Sequence, residues 1–332
     1  MKDRRLLAVA IALLVVAVVA IPAVAFVPNA TSQLAPKPHP TRKPKPTPTP
    51  IVTPGPTPTP TASPSGSPGT VTLVGAGDIA SCSSTGDEAT KALLDGVAGT
   101  VFTVGDNVYD NGTSTEFANC YDPTWGQHKA RTRPAPGNHE YNTTGATGYY
   151  GYFGSAAGDP TKGYYAYDAG AWRIYVLNSN CSVVGCAAGS TQEQWLRSDL
   201  AANPRTCVAA MWHHPRFSDG THGNDASVQP FWQDLYDANA DLILVGHDHD
   251  YQRWAPQTAT GAVDNARGIV EFVVGTGGRS HYAFTGTSAN RVAGNDTTYG
   301  VLRLDLSPSG YAFSFLPVAG QTYSDSGTGS CH

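Results

Sequence analysis

Five short segments constrain this chain more than any bulk property: Gly77-Asp78, Gly105-Asp106-Asn107-Val108-Tyr109, Gly137-Asn138-His139-Glu140, Trp212-His213-His214-Pro215 and Gly246-His247-Asp248-His249. Each sets one or two hard oxygen or imidazole donors directly after a run of β-branched and apolar residues. That is how ligands emerge from the ends of buried strands. A lone Gly-Asp after a strand marks a turn or a helix cap. Five such segments in order, holding five of the ten histidines, mark a shared site.

Strand-like runs are predicted at Val71 to Ala76, Thr100 to Val104, Trp172 to Asn178, Cys207 to Trp212, Leu242 to Val245 and Ile269 to Val274. Between them lie helical stretches. Ser190-Thr191-Gln192-Glu193 has a capping-box pattern ahead of Trp195, Leu196 and Leu200, and Val228 to Ala238 carries Phe231, Trp232 and Leu235 at helical spacing. Tyr299 to Leu306 and Tyr311 to Val318 read as an antiparallel hairpin turning near Pro308-Ser309-Gly310. The pattern predicts a layered α/β sandwich with two central sheets over residues 70–332, and no internal repeat is visible.

Residues 1–30 read as a signal peptide or signal anchor. Met1-Lys2-Asp3-Arg4-Arg5 is a positive start, Leu6 to Val27 is almost wholly apolar, and Ala23-Val24-Ala25 matches a small-residue cleavage site. The apolar run reaches the roughly 20 residues that cross a bilayer, so anchoring is the alternative to cleavage. Residues 31–69 alternate Pro with Thr, Lys and Ser, which predicts a disordered, semi-rigid spacer of roughly 3.1 Å per residue. Either outcome places the folded part outside the cytoplasm, secreted or tethered to a membrane or cell wall. The formal net charge of -5 gives no reason to expect nucleic acid held by its phosphates.

All six cysteines lie beyond the export segment, and an even number in an oxidising compartment argues for disulfides. The expected pairing is Cys82 with Cys120, Cys181 with Cys186 and Cys207 with Cys331, one of about 15 possible connectivities.

Hard cations prefer carboxylate, phenolate, amide-oxygen and imidazole donors, and two of them about 3.5–4 Å apart need a bridging group. Asp106 is the natural bridge, with Tyr109 three residues on able to swing back toward one metal. His247 and His249, one residue apart, can face different metals. The glycines before Asp78, Asp106, Asn138 and His247 allow tight backbone there.

On these motifs, the stretch from Val71 to about Arg253 resembles the calcineurin-like metallophosphoesterases, and within them a short, bacterial-type purple acid phosphatase. The resemblance implies a four-layer αββα sandwich. It implies a dinuclear centre with ferric iron on residues matching Asp78, Asp106, Tyr109 and His249, and divalent Fe, Zn or Mn on Asp106, Asn138, His213 and His247. His213 rather than His214 matches the family ligand, because one variable residue and then Pro follow it. His139 matches the family's substrate-phosphate contact and His222 its candidate general acid, with Asn138, His139 and His222 lining the substrate. Where other branches carry Asp-x-His, this chain has Asp78-Ile79-Ala80, with Tyr109 replacing the missing donor; the family's usual Gly is Ala80 here.

The implied activity is hydrolysis of a small phosphomonoester by attack of a metal-bound hydroxide, with His222 protonating the leaving alkoxide. Two alternatives stand beside it: an extracellular phosphodiesterase or nucleotidase on the same metals, and a non-enzymatic stalked binding module. Asp248 and Asp250 read either as partners orienting the histidines or as solvated carboxylates. Gly275-Thr276-Gly277-Gly278 reads as a tight turn or as the border of the site. His281, Tyr282, Trp254 and Tyr251 read either as shaping the substrate rim or, the plainer reading, as packing at the core or rim. The natural substrate and oligomeric state stay open.

Overall fold

The computed structural model describes residues 69–332. The expected export segment and nearly all of the expected spacer therefore lie outside the described residues. In chain order the strands are β1 (Val71–Ala76), β2 (Ala80–Ser81), β3 (Thr100–Val104), β4 (Val108–Tyr109), β5 (Thr132–Ala135), β6 (Tyr165–Ala169) and β7 (Trp172–Val176). There follow β8 (Cys207–Met211), β9 (Leu242–Val245), β10 (Tyr251–Trp254), β11 (Val270–Val274), β12 (Arg291–Asn295), β13 (Gly300–Ser307), β14 (Gly310–Pro317) and β15 (Ser326–Ser330).

Six strands form one sheet in the order β15-β14-β13-β1-β3-β5, and seven form another, β12-β10-β11-β9-β8-β7-β6. Within them β1, β3 and β5 run parallel, as do β7, β8, β9 and β11. Antiparallel partners flank both blocks. The two expected sheets are thus present, and the hairpin of β13 and β14 turns through Pro308-Ser309, with Ser307 opposite Gly310.

A period of two along the second sheet divides its side chains between two cores. Ile174, Val176, Met211 and Leu244 join Leu73, Val101, Phe102 and Leu304 of the first sheet in one buried cluster. Tyr175, Ala210, Trp212 and Ile243 point the other way, onto Leu196 of helix Thr191–Ala202 and Phe231, Trp232 and Leu235 of helix Gln229–Asp237. Leu94 of helix Gly86–Asp95 packs on the first sheet. The layers are those of an αββα sandwich.

The helix beginning at Thr191 is capped as its sequence predicts on one side only. The Ser190 hydroxyl accepts from the Glu193 amide, but the Glu193 carboxylate accepts from the Gly189 amide rather than from that of Ser190.

All three expected disulfides are formed: Cys82–Cys120, Cys181–Cys186 and Cys207–Cys331. The last joins the start of β8, in the second sheet, to the residue after β15, at the edge of the first. It closes a loop with a sequence separation of 124. Removing a bond that spans so much chain should cost about 2–5 kcal/mol. A Cys207→Ser/Cys331→Ser variant should therefore unfold at lower denaturant, with a slope that rises as the unfolded chain is freed to expand, and an unshifted midpoint would contradict this role.

Candidate metal centre

Six of the seven expected donors sit just beyond the carboxyl end of a parallel strand, Asp78 after β1, Asp106 after β3, Asn138 after β5, His213 after β8, and His247 and His249 after β9, while Tyr109 lies within β4. The backbone turns sharply at these ends. Asp78, Asp106 and His247 hold φ values of 59°, 47° and 71°, three of the five non-glycine residues with positive φ among those described. Each such residue costs about 1–3 kcal/mol, so strain is concentrated where the donors converge. Gly105 shows how little space is left: its φ is 89°, and a Cβ there would lie 2.5 Å from His213 Nδ1.

The donors form two groups that share one oxygen. In the first, the Tyr109 hydroxyl lies 2.8 Å from Asp78 Oδ1, 2.9 Å from Asp106 Oδ2 and 3.1 Å from His249 Nε2. In the second, His213 Nε2 lies 3.3 Å from the same Asp106 Oδ2, 3.1 Å from Asn138 Oδ1 and 3.2 Å from His247 Nδ1. Asp106, His213 and His247 place ligand atoms close enough to hold one ion between them.

The chemistry of this donor set fits cations. Three acceptor-type atoms surround the single hydrogen of the Tyr109 hydroxyl, which can satisfy one of them at a time. His213 Nδ1 faces the Val104 carbonyl at 2.8 Å, and a carbonyl only accepts. That nitrogen therefore carries a proton, which leaves the inward-facing Nε2 as the atom whose lone pair a cation would take. His249 is braced from behind by Ser280, whose Oγ lies 2.7 Å from Nδ1. Asp78 and Asp106 are fully buried without a Lys or Arg partner.

The electrostatics agree. Burial opposes the charged imidazolium of His213, yet the Asp106 carboxylate outweighs it and lifts the pKa to about 9, so that Nε2 holds a proton where a cation would replace it. Burial also opposes the Asp106 carboxylate, but His213 and His139 hold it below the usual range. Tyr109 is pushed well above an ordinary phenol, by burial first and then by Asp106 and Asp78. Burial and the neighbouring His213 and His214 keep His247 neutral.

A surrounding shell fixes these groups. The buried Glu140 carboxylate accepts from the backbone amides of Asp106 (3.1 Å), Asn107 (2.8 Å) and Gly137 (2.6 Å), tying the β3 and β5 loops together. The His139 amide donates to Asp106 Oδ1 at 2.9 Å, and the His247 amide to Asp78 Oδ2 at 2.9 Å. Ser179 Oγ accepts from the His213 and His214 amides and meets His214 Nδ1 at 2.8 Å. His214 thus orders the loop beside the centre, where burial lowers its pKa to about 4.

His139 and His222 flank the two groups. The His139 ring lies 4.3 Å from that of Tyr109, with Nε2 3.9 Å from Asp106 Oδ2. His222 stacks on His247 at 4.1 Å. Asp248 and Asp250 are both fully buried, which excludes the solvated reading. Asp248 does not touch the ligand rings through its carboxylate. It accepts from the Ser218 hydroxyl, from the His222 amide at 2.8 Å and from the Gly223 amide at 3.3 Å, and so shapes the loop that carries His222. Tyr282 stacks on His249 at 4.0 Å and His281 on Tyr299 at 4.0 Å, while Tyr251 and Trp254 belong to the core. Sequence reasoning gave no role to Glu140, Ser179 or Ser280. Glu140 carried a signal, as an acidic residue two positions after a donor, but nothing local marks the serines.

A model of the calcineurin-like phosphoesterases matches residues 72–251, more than half of the chain, and the protein belongs to that family. Two curated relatives, uncharacterized proteins Rv2577 and MT2654 of Mycobacterium tuberculosis, are each 29% identical over 185 residues, covering 44% of this chain and 35% of their own. The chain thus spans about a third of the length of these relatives. The yellow lupin purple acid phosphatase PPD1 is similar in structure with a TM-score of 0.61 at 20% identity, over 79% of this chain and 54% of that one. GAP50, the anchor in the inner membrane complex of Plasmodium, gives 0.59 at 13% identity, over 77% and 88%. These structural likenesses establish the shared fold.

Glu140→Gln keeps the size of the side chain but turns an NH2 group toward amide donors. Hydrogen bonds to a charged group contribute about 1.5–3 kcal/mol each. The variant should lose at least that much stability in thermal denaturation and retain less metal after dialysis. Wild-type values for both would show that Glu140 does not support the centre.

Proposed function

We propose that this protein is a phosphoric-ester hydrolase working through two metal ions, and that its substrates are small phosphomonoesters. The observation that carries this reading is the position of Asp106 Oδ2, 2.9 Å from Tyr109 Oη on one side and 3.3 Å from His213 Nε2 on the other. A single oxygen between two complete donor groups suits a bridge. Asp78, Asp106, Tyr109 and His249 would hold the first cation, and Asp106, Asn138, His213 and His247 the second. Tyr109 in the first group favours a trivalent iron, and the second group suits divalent Fe, Zn or Mn. Bound cations supply Lewis-acid charge and lower the pKa of water, so no serine or cysteine nucleophile is required.

The remaining steps belong to side chains. His139 Nδ1 faces the Asp110 carbonyl at 2.7 Å and so carries a proton, which fixes the ring with Nε2 turned toward the centre as a contact for a phosphate oxygen. His222, exposed and stacked over His247, would deliver a proton to the leaving alkoxide. The intact donor set favours an enzyme over a binding module.

Three disulfides fit an oxidising compartment, and among the described residues no helix is long and apolar enough to cross a membrane. Export through residues 1–30, with residues 31–69 as a spacer ahead of the catalytic domain, completes the proposal.

Hydrolysis of a chromogenic phosphomonoester and the matching diester tests it. The monoester should be preferred at least tenfold in kcat/KM, and Asp106→Asn should abolish turnover. Metal-loaded wild-type protein without activity on either would sink the reading, and diester preference would favour the phosphodiesterase. General acids contribute about 10²–10⁴-fold, and chiefly for poor leaving groups. His222→Ala and, less severely, Asp248→Asn should therefore slow an alkyl phosphate more than a nitrophenyl phosphate. Equal losses on both would remove the proton-donor role.

A further inference from the structure

A second cleft lies away from the metal centre, at the seam where β5 and β6, the edge strands of the two sheets, approach each other. Its volume is about 830 Å³. The Tyr165 hydroxyl donates to the Pro134 carbonyl at 3.0 Å across this seam, and Phe153, Tyr165 and Tyr167 supply aromatic walls. Two cations, Lys129 and Arg133, and no carboxylate, complete the part that matters here.

Those cations are unusual for this chain. From residue 70 onward the sequence carries 14 Lys and Arg against 25 Asp and Glu. Most arginines there are claimed by carboxylates: Arg173 by Asp199, Arg197 by Glu193, Arg205 by Asp168, Arg253 by Asp325, Arg279 by Asp110, Arg291 by Asp219 and Arg303 by Asp305. Lys129 instead sits 4.2 Å above the ring of Tyr152, and Arg133 lies 5.6 Å from the ring of Tyr167, with only a 3.4 Å contact to the Thr132 carbonyl. Asp122, near Gly126 on the cleft wall, is already bound by the Tyr152 hydroxyl at 2.6 Å. The Tyr167 hydroxyl is a buried oxygen with no hydrogen-bond partner.

We infer that this cleft binds an acidic sugar, with the ring against Tyr165 and Tyr167 and the anionic group between Lys129 and Arg133. Arg over an aromatic ring keeps its donors free for a carboxylate or phosphoryl group. Aromatic walls with a few placed polar groups suit a cyclic, partly apolar ligand. The site is independent of the metal centre and of the activity proposed for it.

Calorimetric titration of the full, metal-loaded chain with tetragalacturonate tests this, with neutral maltotetraose and inorganic sulfate as controls. The uronate should bind at least tenfold more tightly than either control. Lys129→Gln/Arg133→Gln should weaken it at least tenfold, with circular dichroism and phosphomonoester turnover unchanged. No binding, or equal binding by the double variant, would overturn the site. Sulfate binding as tightly as the uronate would overturn the assignment of a sugar.

Discussion

One carboxylate oxygen, Asp106 Oδ2, stands between the two donor groups, and the surrounding fold serves to keep it there. It lies within 3.3 Å of Tyr109 Oη, from the small β2–β4 sheet, and of His213 Nε2, which follows β8 of the seven-stranded sheet. Its residue is held in the left-handed region by Glu140, which takes its amide, and by His139, whose amide takes the other carboxylate oxygen. Buried like charges and lone pairs crowd this point, and the family's metals account for that density. Without cations the cluster would gather acceptors in a space that burial penalises.

The two sheets are joined directly beneath the site. Gly275-Thr276-Gly277-Gly278 leaves β11 and runs alongside the end of β1: the Gly77 amide donates to the Val274 carbonyl, Gly277 to the Gly77 carbonyl and Arg279 to the Asp78 carbonyl. The segment is therefore a seam between the layers, and its glycines allow backbone to lie against backbone. Such a seam fixes Asp78, from the first sheet, relative to His249, from the second. This is the rigidity that a shared ion site requires.

Much of this was legible in the sequence because the relevant signals are local. Apolar runs marked β1, β3 and β9 at their observed limits, and the donor after each was visible as a short motif. The edges were not legible. β5 contains Arg133 and Pro134, β12 is Arg-Val-Ala-Gly-Asn and β15 is Ser-Gly-Thr-Gly-Ser, so neither hydrophobic alternation nor β-propensity announces them. Longer runs were overextended, as at Trp172, where the strand ends at Val176 and Asn178 turns to take part in the loop network. The shell of the centre was least legible. Ser179 and Ser280 act by meeting histidines 35 and 31 positions away, and Asp248 serves a loop 26 positions earlier. Separation on that scale is set by tertiary closure, and no spacing rule encodes it.

The most direct test of the shared-oxygen centre is metal analysis joined to the visible spectrum of the purified chain, with Tyr109→Phe measured in parallel. The account predicts two metal ions per chain including iron, and a broad visible absorption that disappears in Tyr109→Phe while the metal content stays near two. A folded protein that binds one ion or none, or an iron-loaded protein whose spectrum is indifferent to Tyr109, would contradict it.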